Sequence, residues 1–414
     1  MKNFAAFLCL IFPFLMCFGQ NTLTISTFLA DANKEESVVF QKDKVHFLKT
    51  LSYDLPYIEK LEFRTETNDF DLRKQEYLIR ISPNSLKNIH TQHQYQESVQ
   101  YMTEMELKTA SRKALKGRYD LLVNYIYLQD ILGIKLKQKL LLKDKVTLLK
   151  RSIALANFDV LELIGAEYDA QENLRDILDL KNTIQTLEKN IQRKLIDSQF
   201  IQIDQDKLPT IANIRAIIDQ SIATYLLKHP VLEAQSARLY NNMLEYEWEA
   251  AKSKFSIGYI QAKFGHDPAD NFKQSISFGI GFDIPLKSAS RLDLNELRIN
   301  ILESESRFRN LKTNLEEASF AVQHQLQNLI KKYELVAEQV EVGQAEFALQ
   351  EYRKIAEASP HALIKLRENT LGIELILKQL QYQIMQSFID YLDTTGLINK
   401  KPYKNFLSKN MDPF

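Results

Sequence analysis

The sequence predicts a mainly α-helical chain with a small β part, built from very long helices and two β-hairpins. Glycine and proline are scarce, with 11 and 10 among 414 residues, so few residues interrupt a helix. The windows from Pro83 to Pro209 and from Pro285 to Pro360 contain no internal proline. Two pairs of segments alternate apolar and polar residues with the period of a β-strand.

The proline-free windows predict two long helices, at 84–155 and 288–358. A helix of roughly 70 residues is about 105 Å long, which exceeds the width of a compact domain. From Leu294 to Leu329, apolar and small residues recur in steps of three and four, as in a coiled coil. Four shorter helices, each about 45 to 65 Å long, could lie end to end beside the long ones: 23–51, 160–196, 211–252 and 362–392.

The order of these elements predicts two structural repeats, at 22–210 and 211–400, each formed by a helix, a hairpin, a long helix and a return helix. Residues 401–414 form a C-terminal tail. Residues 1–20 have the pattern of a secretory signal peptide: an early lysine, an apolar run and a small residue. A lipoprotein would need a small residue before Cys17, where Met16 stands. Because Cys9 also lies in this segment, we expect a mature chain without disulfides.

The second predicted hairpin, 255–284, has one apolar and one polar face. We expect its large apolar residues to face lipid: Phe272, Ile276, Phe278, Ile280, Phe282 and Ile284. Between them lie small and polar residues, with Lys273 and Asp283 expected to face an aqueous lumen.

The first predicted hairpin, 57–82, alternates in the same way, but its polar face is heavily charged. Glu62, Arg64 and Arg80 are its predicted lumen residues. An antiparallel sheet with one wet face, in a protein that meets no membrane, would show the same alternation. The pattern of this hairpin alone does not separate the two structures.

Two hairpins supply four strands per chain, whereas the smallest barrels have about eight. Three chains would supply twelve, so we expect a shared 12-stranded trimeric β-barrel. A thirteen-residue strand such as 272–284 extends about 43 Å and, tilted by about 45°, covers about 30 Å of membrane normal. The predicted strand length therefore fits a bilayer.

Charge and motifs exclude several function classes. The 53 basic and 53 acidic residues balance, which gives no electrostatic reason to expect nucleic acid as a partner. His90 and His93 lie one helical turn apart, with Glu97 a turn further on, a pattern more typical of a solvated helix face than of a metal site. We expect no cofactor, no metal and no enzymatic activity.

Several segments, in their order and spacing, resemble the TolC-like outer-membrane efflux proteins. They are His229 to Leu232, the strands FSIGYIQAKFG and SISFGIGFDIPL, the heptad helix that follows, and the turn at Ala156 to Val160. The resemblance implies a homotrimer in the outer membrane, with a short β-barrel and a long α-helical barrel of twelve staves in the periplasm. It also implies a periplasmic adaptor at the helix tips and an inner-membrane pump as partners.

The tips of the chain depart from the family pattern. The usual tip glycines are missing, because Ala154 to Ala156 and Tyr352 to Pro360 occupy those places. The residues that would surround the periplasmic aperture carry both signs of charge: Asp159, Glu162, Lys365, Arg367 and Glu368. Charge selectivity therefore cannot be transferred from the family.

The sequence thus favours an outer-membrane channel of a tripartite efflux or type I secretion system, a passive export duct with a large periplasmic part. The alternative is a soluble periplasmic coiled-coil adaptor or assembly protein. The apolar strand face distinguishes them, because only the channel needs that face to point outward.

Overall fold

The computed structural model of the chain describes residues 24–50, 55–67, 75–154, 158–195, 208–218, 226, 228–252, 256–267, 273–283, 290–343, 351 and 359–414. Several expectations lie partly or wholly outside these residues. Among them are the signal peptide at 1–20, the first tip turn at 155–157, and the second tip with the end of the second long helix, at 344–358 apart from residue 351.

The chain is mainly helical with one four-stranded antiparallel sheet, as the sequence predicts. The helices whose bounds the structure describes are α1 (Ile25–Ala30), α2 (Glu36–Thr50), α3 (Leu86–Arg151), α4 (Val160–Arg193), α5 (Ile211–Ile218), α6 (Pro230–Lys252), α7 (Ser290–Gly343) and α8 (Pro360–Thr394). Short 3₁₀ helices cover Asp31–Lys34 and Leu397–Asn399. The strands are β1 (Ile58–Thr67), β2 (Gln75–Pro83), β3 (Ser256–Asp267) and β4 (Lys273–Asp283).

The helices pack side by side as long staves. Helix α3 has 66 residues, about 99 Å at 1.5 Å per residue, and the described part of α7 has 54, about 81 Å. In the half next to the sheet, α2 packs on α3, α3 on α6 and α6 on α7. In the other half the order is α4, α3, α8 and α7. Pairs of shorter helices therefore match the long ones, as their lengths predict.

The segment 211–252, expected as one helix, is interrupted: among its described residues α5 ends at Ile218, residues 228 and 229 are not helical, and α6 begins at Pro230. Pro230 has no backbone N–H and therefore fits only the first turn of a helix. The hydrogen-bond ladder of α6 accordingly begins at the carbonyl of His229, which accepts from the Glu233 amide at 2.9 Å. This start meets the end of α8, where Gly396 has a φ of 75° and where a Cβ would lie only 3.2 to 3.4 Å from atoms of His229 and Pro230.

The main hydrophobic core lies midway along the staves, where α1, α5, the end of α8 and the C-terminal segment cover the middle of α3. The C-terminal segment packs into this core, with Phe406 and Leu407 buried. Tyr119 of α3 holds it in place, because its hydroxyl donates to the Lys404 carbonyl at 2.7 Å and accepts from the Phe406 amide at 3.2 Å. Burial raises the pKa of this phenol, so Tyr119 stays neutral.

Candidate functional site

The four strands join in the order β1, β2, β3, β4, and their register aligns apolar side chains on one face. Three cross-strand rows result: Leu61, Ile81, Ile260 and Ile280; Phe63, Ile79, Ala262 and Phe278; Thr65, Tyr77, Phe264 and Ile276. Thr65 is the one polar member. Leu61 is 68% and Phe278 is 81% exposed in the single chain. The sheet therefore presents a wide apolar face that nothing in the described part of the chain covers.

The residues predicted to face lipid share this face where the structure describes them. Ile276, Phe278, Ile280 and Phe282 are all exposed on it. Phe272 and Ile284 lie outside the described residues. The first hairpin contributes to the same face, because Leu61 and Phe63 of β1 continue the rows that begin on β4.

The opposite face is polar, and it brings together three of the five predicted lumen residues. Arg64 Nη2 lies 3.2 Å and Arg80 Nη1 lies 3.8 Å from the Glu62 carboxylate. Asp283 and Lys273 are at opposite ends of β4, in register with Ser256 and Asp267. By the alternation along β4, both positions belong to the polar face.

Both outer strands of the described sheet are edge strands. Among the described strands, β1 pairs only with β2, and β4 pairs only with β3. An edge strand presents a row of free backbone donors and acceptors, which invites pairing with another chain. The combination of an apolar face and two open edges leaves this sheet incomplete as a single-chain structure.

The predicted tip residues form contacts at the far end of the staves. The Asp159 side chain caps α4 by accepting from the Leu161 amide at 2.8 Å. Glu162 lies 3.4 Å from His361 Nε2, which joins the starts of α4 and α8. The contact between Glu162 and His361 joins helix starts that are about two hundred residues apart in sequence.

The remaining charged residues of the tip differ in their burial and in their ion pairs. Glu368 is 2.8 Å from Lys145 of α3 and 3.7 Å from Lys365. Its carboxylate is half-buried between α3 and α8, whereas Lys365 and Arg367 are exposed. The structure thus gives Glu368 an interhelical ion pair, while an aperture role for these residues stays a prediction.

A buried polar cluster escaped the sequence analysis. The His229 ring, 0% exposed, lies between Arg112 of α3 and the end of α8. Its Nδ1 accepts from the Val231 amide at 3.3 Å, so the neutral ring carries its proton on Nε2, which donates to the Asp393 carbonyl at 3.1 Å. The only available signal was the histidine directly before Pro230.

Burial shifts the pKa values of two groups in this cluster. Burial, reinforced by the Arg112 guanidinium, lowers the pKa of His229 to about 4. Burial also raises the pKa of Asp393, although Arg112 opposes that shift. Arg112 Nε is 3.2 Å from Asp393 Oδ1, an ion-pair distance without hydrogen-bond alignment. The cluster joins the abutting ends of α6 and α8 to α3.

Acidification is expected to destabilise the fold through His229. Between its ordinary pKa of 6.5 and about 4, the unfolded chain binds a proton that the native chain does not. As the pH is lowered through this window, the free energy of unfolding therefore decreases by up to about 1.4 kcal/mol per pH unit. The raised pKa of Asp393 acts in the opposite sense, so the measurement is the difference between the native protein and His229→Asn. Melting temperatures that fall in parallel for both proteins from about pH 7 to pH 4.5 would contradict the assignment.

Comparison with known proteins shows a similarity of fold and not of sequence family. No protein-family model and no curated protein sequence match the chain. Solved structures do match. The outer-membrane protein VceC from Vibrio cholerae has 12% identity and a TM-score of 0.62, with 90% of this chain and 96% of VceC covered. The MtrE outer-membrane channel of Neisseria gonorrhoeae has 12% identity and a TM-score of 0.61, covering 94% and 90%. The fold is that of TolC-like outer-membrane channels.

A third TolC-like structure, the CmeC outer-membrane channel of Campylobacter jejuni, has 13% identity and a TM-score of 0.57, with 94% of this chain and 86% of CmeC covered. Within the described ranges, no helix has the length and hydrophobicity to cross a membrane. The described residues also bring together no group of three histidine, cysteine, aspartate or glutamate side chains that could hold a metal ion. In this TolC-like fold, the sheet and the helix tips lie at opposite ends of α3.

Proposed function

We propose that the protein is an outer-membrane channel, the component of a tripartite efflux or type I secretion system that forms a passive duct through periplasm and outer membrane. The observation that carries this proposal is the sheet, which has three exposed apolar rows on one face, charges on the other and two open edges. Apolar side chains that alternate with polar ones across a sheet are typical of a barrel wall between lipid and water. Hydrocarbon would cover the apolar face, and ring closure would satisfy the edges.

The proposed assembly is a homotrimer in which β4 of each chain pairs with β1 of the next. Twelve strands form a closed barrel without edges, whereas four cannot close. The outer staves carry exposed apolar residues that such a ring would bury. They are Leu292, Ile299, Leu302, Phe320 and Leu335 on α7, and Val39, Phe40, Phe47, Leu161, Ile164, Tyr168, Leu174 and Leu178 on α2 and α4. The surface on α7 differs from the surface on α2 and α4. The proposed contact between neighbouring chains is therefore head to tail, and a ring of three chains closes it.

The staves would extend the duct into the periplasm. Helix α3 alone spans about 99 Å, and the exposed tip residues Asp159, Lys365 and Arg367 lie near its far end, at the starts of α4 and α8. We place a periplasmic adaptor and an inner-membrane pump at these tips, so that the pump supplies energy and the chain supplies a path. The mixed signs of charge at the tips favour a steric rather than a charge-selective constriction.

Disulfide crosslinking tests the proposed ring. Cysteines 9 and 17 both lie within residues 1–20, so a chain processed there offers a cysteine-free background. Phe278→Cys on β4, combined with cysteines scanned through positions 59–65 of β1, is expected to give covalent dimers and trimers at the paired position. Non-reducing gels of outer-membrane fractions measure this.

The matched control for crosslinking is Phe278→Cys with Ile79→Cys. Ile79 lies in the same cross-strand row but on the interior strand β2, about 9.6 Å away across β3, so no crosslink is expected. A soluble monomer that forms no crosslink at any scanned position would contradict the channel proposal and favour the soluble adaptor.

A further inference from the structure

A groove beside α3 collects positive charge. Its volume is about 860 Å³, and it is bordered by α2, α3, the start of α6 and the chain that follows α8. Five lysines are among the described residues that line it, and Glu233 is the one acidic residue among them. We call it the lysine groove, after Lys42, Lys108, Lys228, Lys400 and Lys401.

The described lining of the lysine groove does not cancel its charge. Lys108 pairs with Glu233 at 3.0 Å, so five lysines and one carboxylate leave a net charge of +4. The Lys42 ammonium donates to a backbone carbonyl at 2.9 Å, which is a neutral acceptor. Lys228 and Lys401 are exposed. In a chain whose 53 basic and 53 acidic residues balance, a local excess of this size favours an anionic ligand.

The lysine groove lies on the side of the staves that carries an added layer of chain. Lys401 and Tyr403, which line the groove, belong to the C-terminal segment that covers the middle of α3 together with α1 and α5. In a closed ring of staves a layer of this size fits on the outside, because on the inside it would occupy the duct. Under the proposed function, the groove is therefore on the outer surface of the ring.

The position of the groove along α3 separates it from both ends of the proposed duct. Lys108 lies 22 residues after Leu86, the first residue of α3, which is about 33 Å at 1.5 Å per residue. Headgroups extend only about 5 to 8 Å beyond the hydrocarbon, so lipid phosphates end well short of the groove. Arg151, at the far end of α3, is 43 residues away, or about 65 Å. The groove therefore faces the space between the membrane and the tips.

We propose that the lysine groove binds the cell-wall polymer through the carboxylates of its peptide stems and anchors the channel in that layer. The inference rests on the proposed function, which places the staves in the periplasm, where this polymer lies. An ammonium is a compact point charge with three donors, so several along one groove suit carboxylates spaced on a flexible chain. Leu107, Pro230 and Tyr403 add an apolar lining, against which the carbon atoms of a peptide stem can pack.

Co-sedimentation of the purified, detergent-solubilised protein with purified sacculi tests the proposal. Lys228→Gln combined with Lys401→Gln is expected to lower the bound fraction at sub-saturating sacculi by about fivefold, because two exposed charge contacts are lost. The matched control is Lys113→Gln with Lys181→Gln, which removes the same charge at two exposed lysines outside the groove. Its binding should equal the native value. Native binding by the groove variant, or an equal loss in the control, would overturn the inference.

Chemically modified sacculi identify the group that is recognised. Carbodiimide with excess ammonium chloride converts the carboxylates to amides and leaves the sugar chains and the peptide backbone in place. The native protein should bind these sacculi no better than the groove variant binds untreated ones. Undiminished binding would show that the carboxylates are not the ligand and would overturn the inference.

Membrane fractionation and semi-native gels of the same variants separate this inference from the proposed function. The groove variant should remain a membrane-bound trimer, because neither substitution lies in the sheet. A native trimer in the outer membrane that does not bind sacculi would overturn the inference and leave the channel proposal intact. A soluble native monomer whose binding to sacculi requires Lys228 and Lys401 would support the groove as the binding site and overturn the channel instead.

Discussion

Replacing Phe278 and Ile280 with arginine is expected to abolish insertion into the outer membrane. Both residues occupy central positions on β4, in two adjacent apolar rows, and are 81% and 61% exposed in the single chain. Arginine on the lipid face of a barrel costs about 2 to 4 kcal/mol at the bilayer midplane, so the pair should cost about 4 to 8 kcal/mol. Membrane fractionation and semi-native gels would show loss of the membrane-bound trimer.

The control for this prediction is Ser277→Arg. Ser277 lies between the two positions on the same strand, but it faces the polar side and is in register with Lys263. An arginine there meets water under the proposed function, so insertion should persist. Equal insertion of the double variant and the native protein would show that this face does not meet lipid. If the native protein is soluble and the double variant fails to fold, the result would favour the soluble periplasmic adaptor.

The helices were predictable because their determinants are local. Missing prolines and glycines allow a helix to continue, and the 66 residues of α3 lie inside one proline-free window. Strand β4 was predictable for the same reason, since alternation of side chains is a property of one segment. The break before Pro230 was also visible in the sequence, because proline is tolerated only in the first turn of a helix. The prediction of one helix over 211–252 ignored this and was wrong.

The first hairpin needed information that a single segment does not contain. Its charged face resembled any wet sheet, and only the register with β3 shows that Ile79 and Ile81 continue the apolar rows of Ala262 and Ile260. These partners are about 180 residues apart in sequence. Pairing at that separation depends on the whole fold, so neither hairpin alone predicts a continuous apolar surface.

The polar contacts between helices were unpredictable for a related reason. Arg112, His229 and Asp393 come from three distant helix segments, and each residue alone resembles an ordinary surface position. Glu368 was predicted at the aperture, yet its partner Lys145 lies on another helix. Sequence periodicity identifies the buried stripe of a helix but not the polar groups that meet where helix ends abut.

Replacing Arg118 with alanine is expected to destabilise the protein by about 3 to 5 kcal/mol, the cost of breaking a buried ion pair. Arg118 is 1% exposed, and its Nε donates to Glu35 Oε1 at 3.0 Å. Its Nη1 donates to the Phe28 carbonyl at 2.6 Å and its Nη2 to the Lys194 carbonyl at 2.9 Å. These carbonyls belong to the last turn of α1 and the end of α4, where helices leave acceptors unsatisfied.

The guanidinium of Arg118, in the middle of α3, thus satisfies carbonyls at the ends of two other helices. Urea-induced unfolding of the purified protein measures its contribution to stability. Arg307→Ala is the control, because Arg307 forms an exposed pair with Glu303 one turn away on α7, and such a pair is worth about 0.3 to 0.5 kcal/mol. Arg118→Lys should recover little of the loss, since an ammonium cannot reach three acceptors in the planar arrangement of the guanidinium. If Arg118→Ala unfolded at the same urea concentration as Arg307→Ala, the buried guanidinium would not contribute to stability, and water would satisfy both helix ends in its place.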